Sequence, residues 1–74
     1  MTLDKGEINK DYFIENMNLS VNTEKRLEAL GMTHGTKVMV LNNKSKGTLI
    51  IKVRGTRFAI GRGISKNIEV RENG

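Results

Sequence analysis

Thr48-Leu49-Ile50-Ile51-Lys52-Val53-Arg54-Gly55-Thr56-Arg57-Phe58-Ala59-Ile60 is the stretch on which the fold turns. Leu49, Ile51 and Val53 alternate with Thr48, Ile50, Lys52 and Arg54, the period of a half-buried strand. A slip of one residue would bury Lys52 and Arg54, so the register is tightly specified. Gly55-Thr56 turns the chain, and Arg57–Ile60 returns as a second strand with Phe58 and Ile60 inward and Arg57 and Ala59 outward. The centre of the protein is therefore a β-hairpin with one apolar face.

Upstream, Thr36–Leu41 carries the same alternation, with Val38 and Val40 on one face and Met39 and Leu41 on the other. A polar, glycine-ended loop, Asn42–Gly47, joins it to the hairpin. Downstream, Gly61–Asn67 fits a single helical turn, and Gly61-Arg62-Gly63 is turn chemistry, because no third glycine follows to complete a phosphate-binding loop. Ile68 and Val70 make a final short strand, with Glu69 and Arg71 outside.

Before these strands lies a short helix, about Thr23–Leu30, capped by Asn22 or Thr23 with Glu24 favourably placed in the first turn. Leu27 and Leu30 are expected to share its docking face. Gly31 stops it: as the left-handed residue after the cap it places Met32 against Leu27, the apolar pair of a Schellman ending. Earlier still, Tyr12 and Ile14 alternate as in a strand. The step to Met17 breaks the period by one residue and predicts a bulge or a strand end. Residues 1–9 are polar and expected to be partly ordered at best. Five short strands with turn signals about every 8–12 residues, in a chain of 74, favour a small antiparallel β-barrel over a sandwich. The whole chain, 1–74, reads as one domain.

Composition narrows the function. The longest apolar run, Val38–Leu41, is four residues, against about 20 for a membrane span, and the N-terminus lacks a secretory pattern. There is no cysteine, hence no disulfide, thiol nucleophile or thiolate metal site. His34 is the one histidine and is expected to face solvent in a turn. It is the only candidate metal ligand, where a site needs three or four. Ser20, Ser45 and Ser65 have no histidine partner in their sequence context, so no catalytic constellation is visible and an enzyme is not expected.

Charge is uneven. Residues 1–36 hold six acids and four bases, a balance of −2; residues 37–74 hold nine bases and two acids, a balance of +7. Such a half suggests nucleic acid, but outward Lys and Arg also keep a small sheet soluble and block edge pairing. Few aromatics are available for stacking: Tyr12, Phe13 and Phe58, of which at least two read as core.

The ordered set Arg26-Leu27-x-x-Leu30-Gly31-Met32, Thr33-x-Gly35-Thr36, Val38-x-Val40, Leu49-x-Ile51-x-Val53-Arg54-Gly55, Phe58-Ala59-Ile60 and Ile68-x-Val70 resembles the ferrous iron transport protein A family, FeoA. Tyr12-x-Ile14-x-x-Met17 fits that family's first strand. After Ile60, Gly61-Arg62-Gly63-Ile64-Ser65 departs from the helix-forming stretch common in the family, and Asn42–Gly47 lacks its apolar and proline residues. The resemblance implies a mainly β, SH3-like antiparallel barrel with one short inserted α-helix. It also implies a small, cytoplasmic, non-enzymatic accessory protein acting on FeoB, the membrane transporter of ferrous iron with a cytoplasmic GTPase domain. No cofactor and no membrane insertion are implied; weak self-association and a weak transition-metal contact at His34 stay open. The residues expected at a partner contact are Arg26, Thr33 and His34 around the helix and its exit, and the outward Lys52, Arg54 and Arg57. Each of them also serves as an ordinary solvated surface group. Two alternatives stand beside this reading: a nucleic-acid-binding barrel, and a metal-responsive SH3-like domain like those of iron-dependent repressors.

Overall fold

The computed structural model describes residues 1–43 and 47–73. Five strands form one antiparallel sheet: β1 (Asp11–Met17), β2 (Lys37–Asn43), β3 (Thr48–Val53), β4 (Thr56–Gly61) and β5 (Ile68–Glu72), in the order β4-β3-β2-β1-β5. Helix α1 (Val21–Ala29) links β1 to β2, and the single turn α2 (Arg62–Ser65) links β4 to β5. The sheet curls around Tyr12, Ile14, Val38, Val40, Leu49, Ile51, Val53, Ile60, Ile68 and Val70, with Leu3, Leu27 and Met32 closing the core. Every alternation read from the sequence points the expected residues inward, because a half-buried strand can hide only one side of its pleat. α2 forms despite the two glycines around Arg62.

The predicted period break in β1 is a bulge. Ile14 pairs with Val70 and Asn16 with Glu69, leaving Glu15 unpaired between them. A second irregularity falls between Val40 and Asn42, opposite Ile51 and Ile50. Both bend the sheet, as closing a barrel from so few residues requires.

The helix stop is as expected. Met32 N–H donates to Leu27 C=O at 3.0 Å and Gly31 N–H to Glu28 C=O at 2.9 Å, with Gly31 at φ +97°. Together these are the two bonds of a Schellman ending.

Four expectations shift. The helix begins at Val21, capped by Ser20, whose Oγ accepts from Thr23 N–H at 3.3 Å; Ser20 is better placed than Asn22 or Thr23, which lie inside the first turn. Leu30 does not share the buried face of Leu27: it is the C-cap, where the chain leaves the helix, and is 51% exposed while Leu27 is 5%. Strand β2 runs on through Asn42 and Asn43, because the Asn43 amide donates to the carbonyls of Asp4 and Gly6, both at 2.9 Å. Within the rest of the expected loop, residues 44–46 lie outside the described residues, and Gly47 is described, with φ +120°.

The fourth concerns residues 1–9. Leu3 is fully buried within a 3-10 turn, Leu3–Lys5, and Thr2 bridges to Glu69. Val70 N–H donates to Met1 C=O at 2.8 Å. Gly6 fits where any side chain would collide: a Cβ there would lie 2.7 Å from Val40 Cγ2 and 3.2 Å from the Tyr12 ring. The Tyr12 hydroxyl in turn accepts from Glu7 N–H at 2.8 Å, so this buried phenol holds the segment in place.

Candidate functional site

Three surfaces contain the residues singled out from sequence. The register builds the first, on the outer side of the sheet. Asp11 stands opposite Met39, Met39 opposite Lys52, and Lys52 opposite Arg57, one continuous row across four strands. In the neighbouring row Phe13 is flanked by Lys37 on one side and Arg71 on the other. Arg54 closes that row at the β3–β4 turn.

Arg54 and Gly55 occupy the two central positions of this turn, between the paired residues Val53 and Thr56, with φ of +52° and +82°. A two-residue turn with both residues left-handed matches the twist of the hairpin and normally carries Asn-Gly. Arginine there is strained. Its side chain is not loose, for its stem rests against Gly31, where an added Cβ would lie 3.1 Å from Arg54 Cδ and 3.7 Å from Val53 Cγ1. The glycine that ends α1 is thus also the floor under Arg54.

Two hollows meet at this side chain. One, of about 270 Å³, is lined by Asp11, Lys37, Met39, Lys52, Arg54 and Gly55. The other is lined by Phe13, Gly35, Thr36, Lys37, Arg54 and Asn73. Among the described residues no acid lies within ion-pair distance of Lys37, Lys52, Arg54 or Arg57, whereas Lys10, Arg62 and Arg71 all have acidic partners. Lys52 and Arg57, directly opposite each other, repel.

Thr33 and His34 belong to a second surface. The Thr33 and Thr36 hydroxyls bond each other at 2.7 Å, and Thr36 Oγ1 also accepts from Thr33 N–H at 3.3 Å, which locks the turn after the helix. His34 Nδ1 lies 2.6 Å from the carbonyl oxygen of Glu15, the residue the bulge frees from the ladder. That carbonyl can only accept, so Nδ1 carries a proton and donates it. The hollow beside it is small, about 90 Å³, and is lined by Glu15, Glu24 and Glu28 as well as His34. Among the described residues no three of His, Cys, Asp and Glu are grouped to hold a metal ion.

Arg26 borders a third surface, a groove of about 250 Å³ between α1, β4 and α2, lined by Leu27, Leu30, Phe58, Ile60 and Ile64. The six residues therefore divide. Lys52, Arg54 and Arg57 share the sheet face, Thr33 and His34 lie at the helix exit, and Arg26 stands at the apolar groove.

Sequence reasoning left out Asp11, Phe13, Lys37 and Met39, which line the sheet face beside Lys52 and Arg54. The signal was the outward phase of β1 and β2; only strand order shows that it continues the phase of Lys52.

The FeoA domain profile matches residues 1–72. A protein of Methanocaldococcus jannaschii named as an Fe(2+) transport protein A is 29% identical over 63 residues, which is 85% of this chain and 76% of that one. A crystal structure of the iron uptake regulatory protein FeoA superposes with a TM-score of 0.90 at 30% identity, covering 97% of this chain and 96% of that one. The solution structure of FeoA from Chlorobium tepidum gives 0.88 at 18% identity, over 100% and 71%. The structure of ScaR with bound Zn2+ gives 0.85 at 19% identity, covering 97% of this chain but 36% of that one, a likeness of fold.

Proposed function

The chain belongs to the FeoA domain family, associated with ferrous iron transport, and on that footing we propose that it is an accessory module acting by contact with a transporter. The partner is a FeoB-like membrane protein, engaged through its cytoplasmic region, which puts this chain in the cytoplasm. Iron is the transporter's cargo in this reading, and the barrel contributes surface, not chemistry. The family match over residues 1–72 carries the proposal. No helix among the described residues is long and apolar enough to cross a membrane.

The nucleic-acid reading of the basic half is weaker on geometry. Tyr12 is fully buried, and the Phe13 ring carries the Arg71 guanidinium at 4.8 Å from its centre. That leaves a base little aromatic surface to stack on at this face. The metal-responsive reading rests on one imidazole nitrogen of His34.

The test is association of the full chain with the complete cytoplasmic region of a FeoB-like transporter, measured calorimetrically with GTP analogue, GDP and no nucleotide. Saturable binding in at least one state is expected. Absence of binding in all three contradicts the proposal.

A further inference from the structure

Resting on that reading, we infer that the partner is held by an acidic segment, a short run of Asp or Glu side chains, lying across the outer sheet face with Arg54 at its centre. Four observations carry this. Lys37, Lys52, Arg54 and Arg57 gather on one face, exposed, with Asp11 the sole acid lining either of the two hollows at Arg54. None of the four has an ion-pair partner among the described residues, while Glu7, Glu15 and Glu72 are paired with Lys10 or Arg71.

The third observation is the strain at Arg54. A left-handed turn position followed by glycine suits asparagine, not arginine. Strained residues cluster where function over-determines them, and the direction of inference runs from this outlier to a role. Fourth, the Arg54 stem is braced on Gly31 and its neighbour in the row is Lys37, so the side chain is held at the residue where the two hollows meet. A pre-organised fork of donors suits carboxylates, which it can bind with two parallel bonds. Met39, half-buried in the centre of the row, gives the peptide backbone an apolar, adaptable floor.

Stacking surface favours a peptide over RNA, because Arg71 caps one side of the Phe13 ring and Tyr12 is buried.

The experiment is an NMR titration of the 15N-labelled full chain with capped hexaglutamate, and in parallel with uridine hexanucleotide. The cytoplasmic region of the transporter is tested separately by calorimetry. Three proteins are compared: wild type, Arg54→Asn, and Lys25→Gln, which removes one positive charge from an exposed site on α1. Hexaglutamate should move the amides of Lys37, Met39, Lys52, Arg54 and Gly55. Arg54→Asn should weaken it by about tenfold, as the loss of one charged hydrogen-bond pair implies, and Lys25→Gln should leave it unchanged.

Arg54→Asn suits its turn position, so its fold is retained and a loss of binding is not unfolding. Equal weakening by the two variants overturns the inference in favour of net charge alone. So does tighter binding of the oligonucleotide than of hexaglutamate at the same amides. If the transporter region binds wild type and Arg54→Asn alike, the inference fails and the proposed function stands. If hexaglutamate binds as described and the transporter region does not, the site stands and the choice of partner fails.

Discussion

The side chain of Arg54 lies across Gly31: a Cβ built on that glycine would meet Arg54 Cδ at 3.1 Å and Nε at 3.4 Å. One glycine thus ends the helix and seats the arginine of a turn 23 residues further along the chain. Gly31→Ala should be destabilising by about 1–2 kcal/mol from the left-handed backbone alone, with a further penalty from moving Arg54. Urea denaturation checks it: a lower midpoint at unchanged slope is expected. In an Arg54→Ala background the further penalty should disappear, leaving a non-zero coupling between the two sites. Strict additivity would show that the two residues do not touch in solution.

The two leucines of α1 should respond very differently. Leu27 is 5% exposed and packs beneath the Schellman ending, whereas Leu30 is 51% exposed. Leu27→Ala should be destabilising by about 2–5 kcal/mol, and Leu30→Ala by at most about 0.5 kcal/mol. Thermal denaturation of the two variants separates these outcomes.

The N-terminal segment is part of the core. Leu3→Ala should cost about 2–5 kcal/mol, and Gly6→Ala should also be strongly destabilising because Val40 Cγ2 and the Tyr12 ring leave no room. Hydrogen exchange offers an independent check. The Val70 amide, which donates to Met1 C=O, should exchange faster when residues 1–6 are deleted.

Lys10 provides a pH signature. Its Nζ donates to Glu7 Oε2 at 2.9 Å and lies 3.8 Å from Glu72 Oε1. The hydrogen bond to Glu7, that carboxylate's charge and then the charge of Glu72 raise its pKa above the ordinary 10.5. A raised value in the folded state means that any stabilisation is fully present below about 10.5 and is lost as pH rises through the folded value. NMR titration should find the Lys10 midpoint above 10.5 in the wild type and lower in Glu7→Gln. Because the pair is exposed, added salt should shrink the difference.

The strands and the helix stop were legible because each rests on a local rule. Leu49, Ile51 and Val53 cannot trade faces with Lys52 without burying a charge, and Gly31 with Met32 after Leu27 admits one ending. What escaped reading depends on contacts between distant residues. Leu3 and Gly6 look dispensable until β2 and Tyr12 arrive beside them. Leu30 keeps the helical spacing of Leu27, yet as the C-cap it stays 51% exposed. At the candidate site, Lys52, Arg54 and Arg57 were visible as outward cations. Lys37 and Met39 join them only through the pairing of β2 with β3, and the strain at Arg54 only through the geometry of its turn.

The most direct test maps the contact itself. The 15N-labelled chain is titrated with the unlabelled cytoplasmic region of a FeoB-like transporter, and shifts and line broadening are read residue by residue. Saturable changes centred on Lys37, Met39, Lys52, Arg54 and Gly55 are expected. A spectrum unchanged at saturation, or changes confined to the groove of Leu30, Phe58 and Ile64, would contradict that contact.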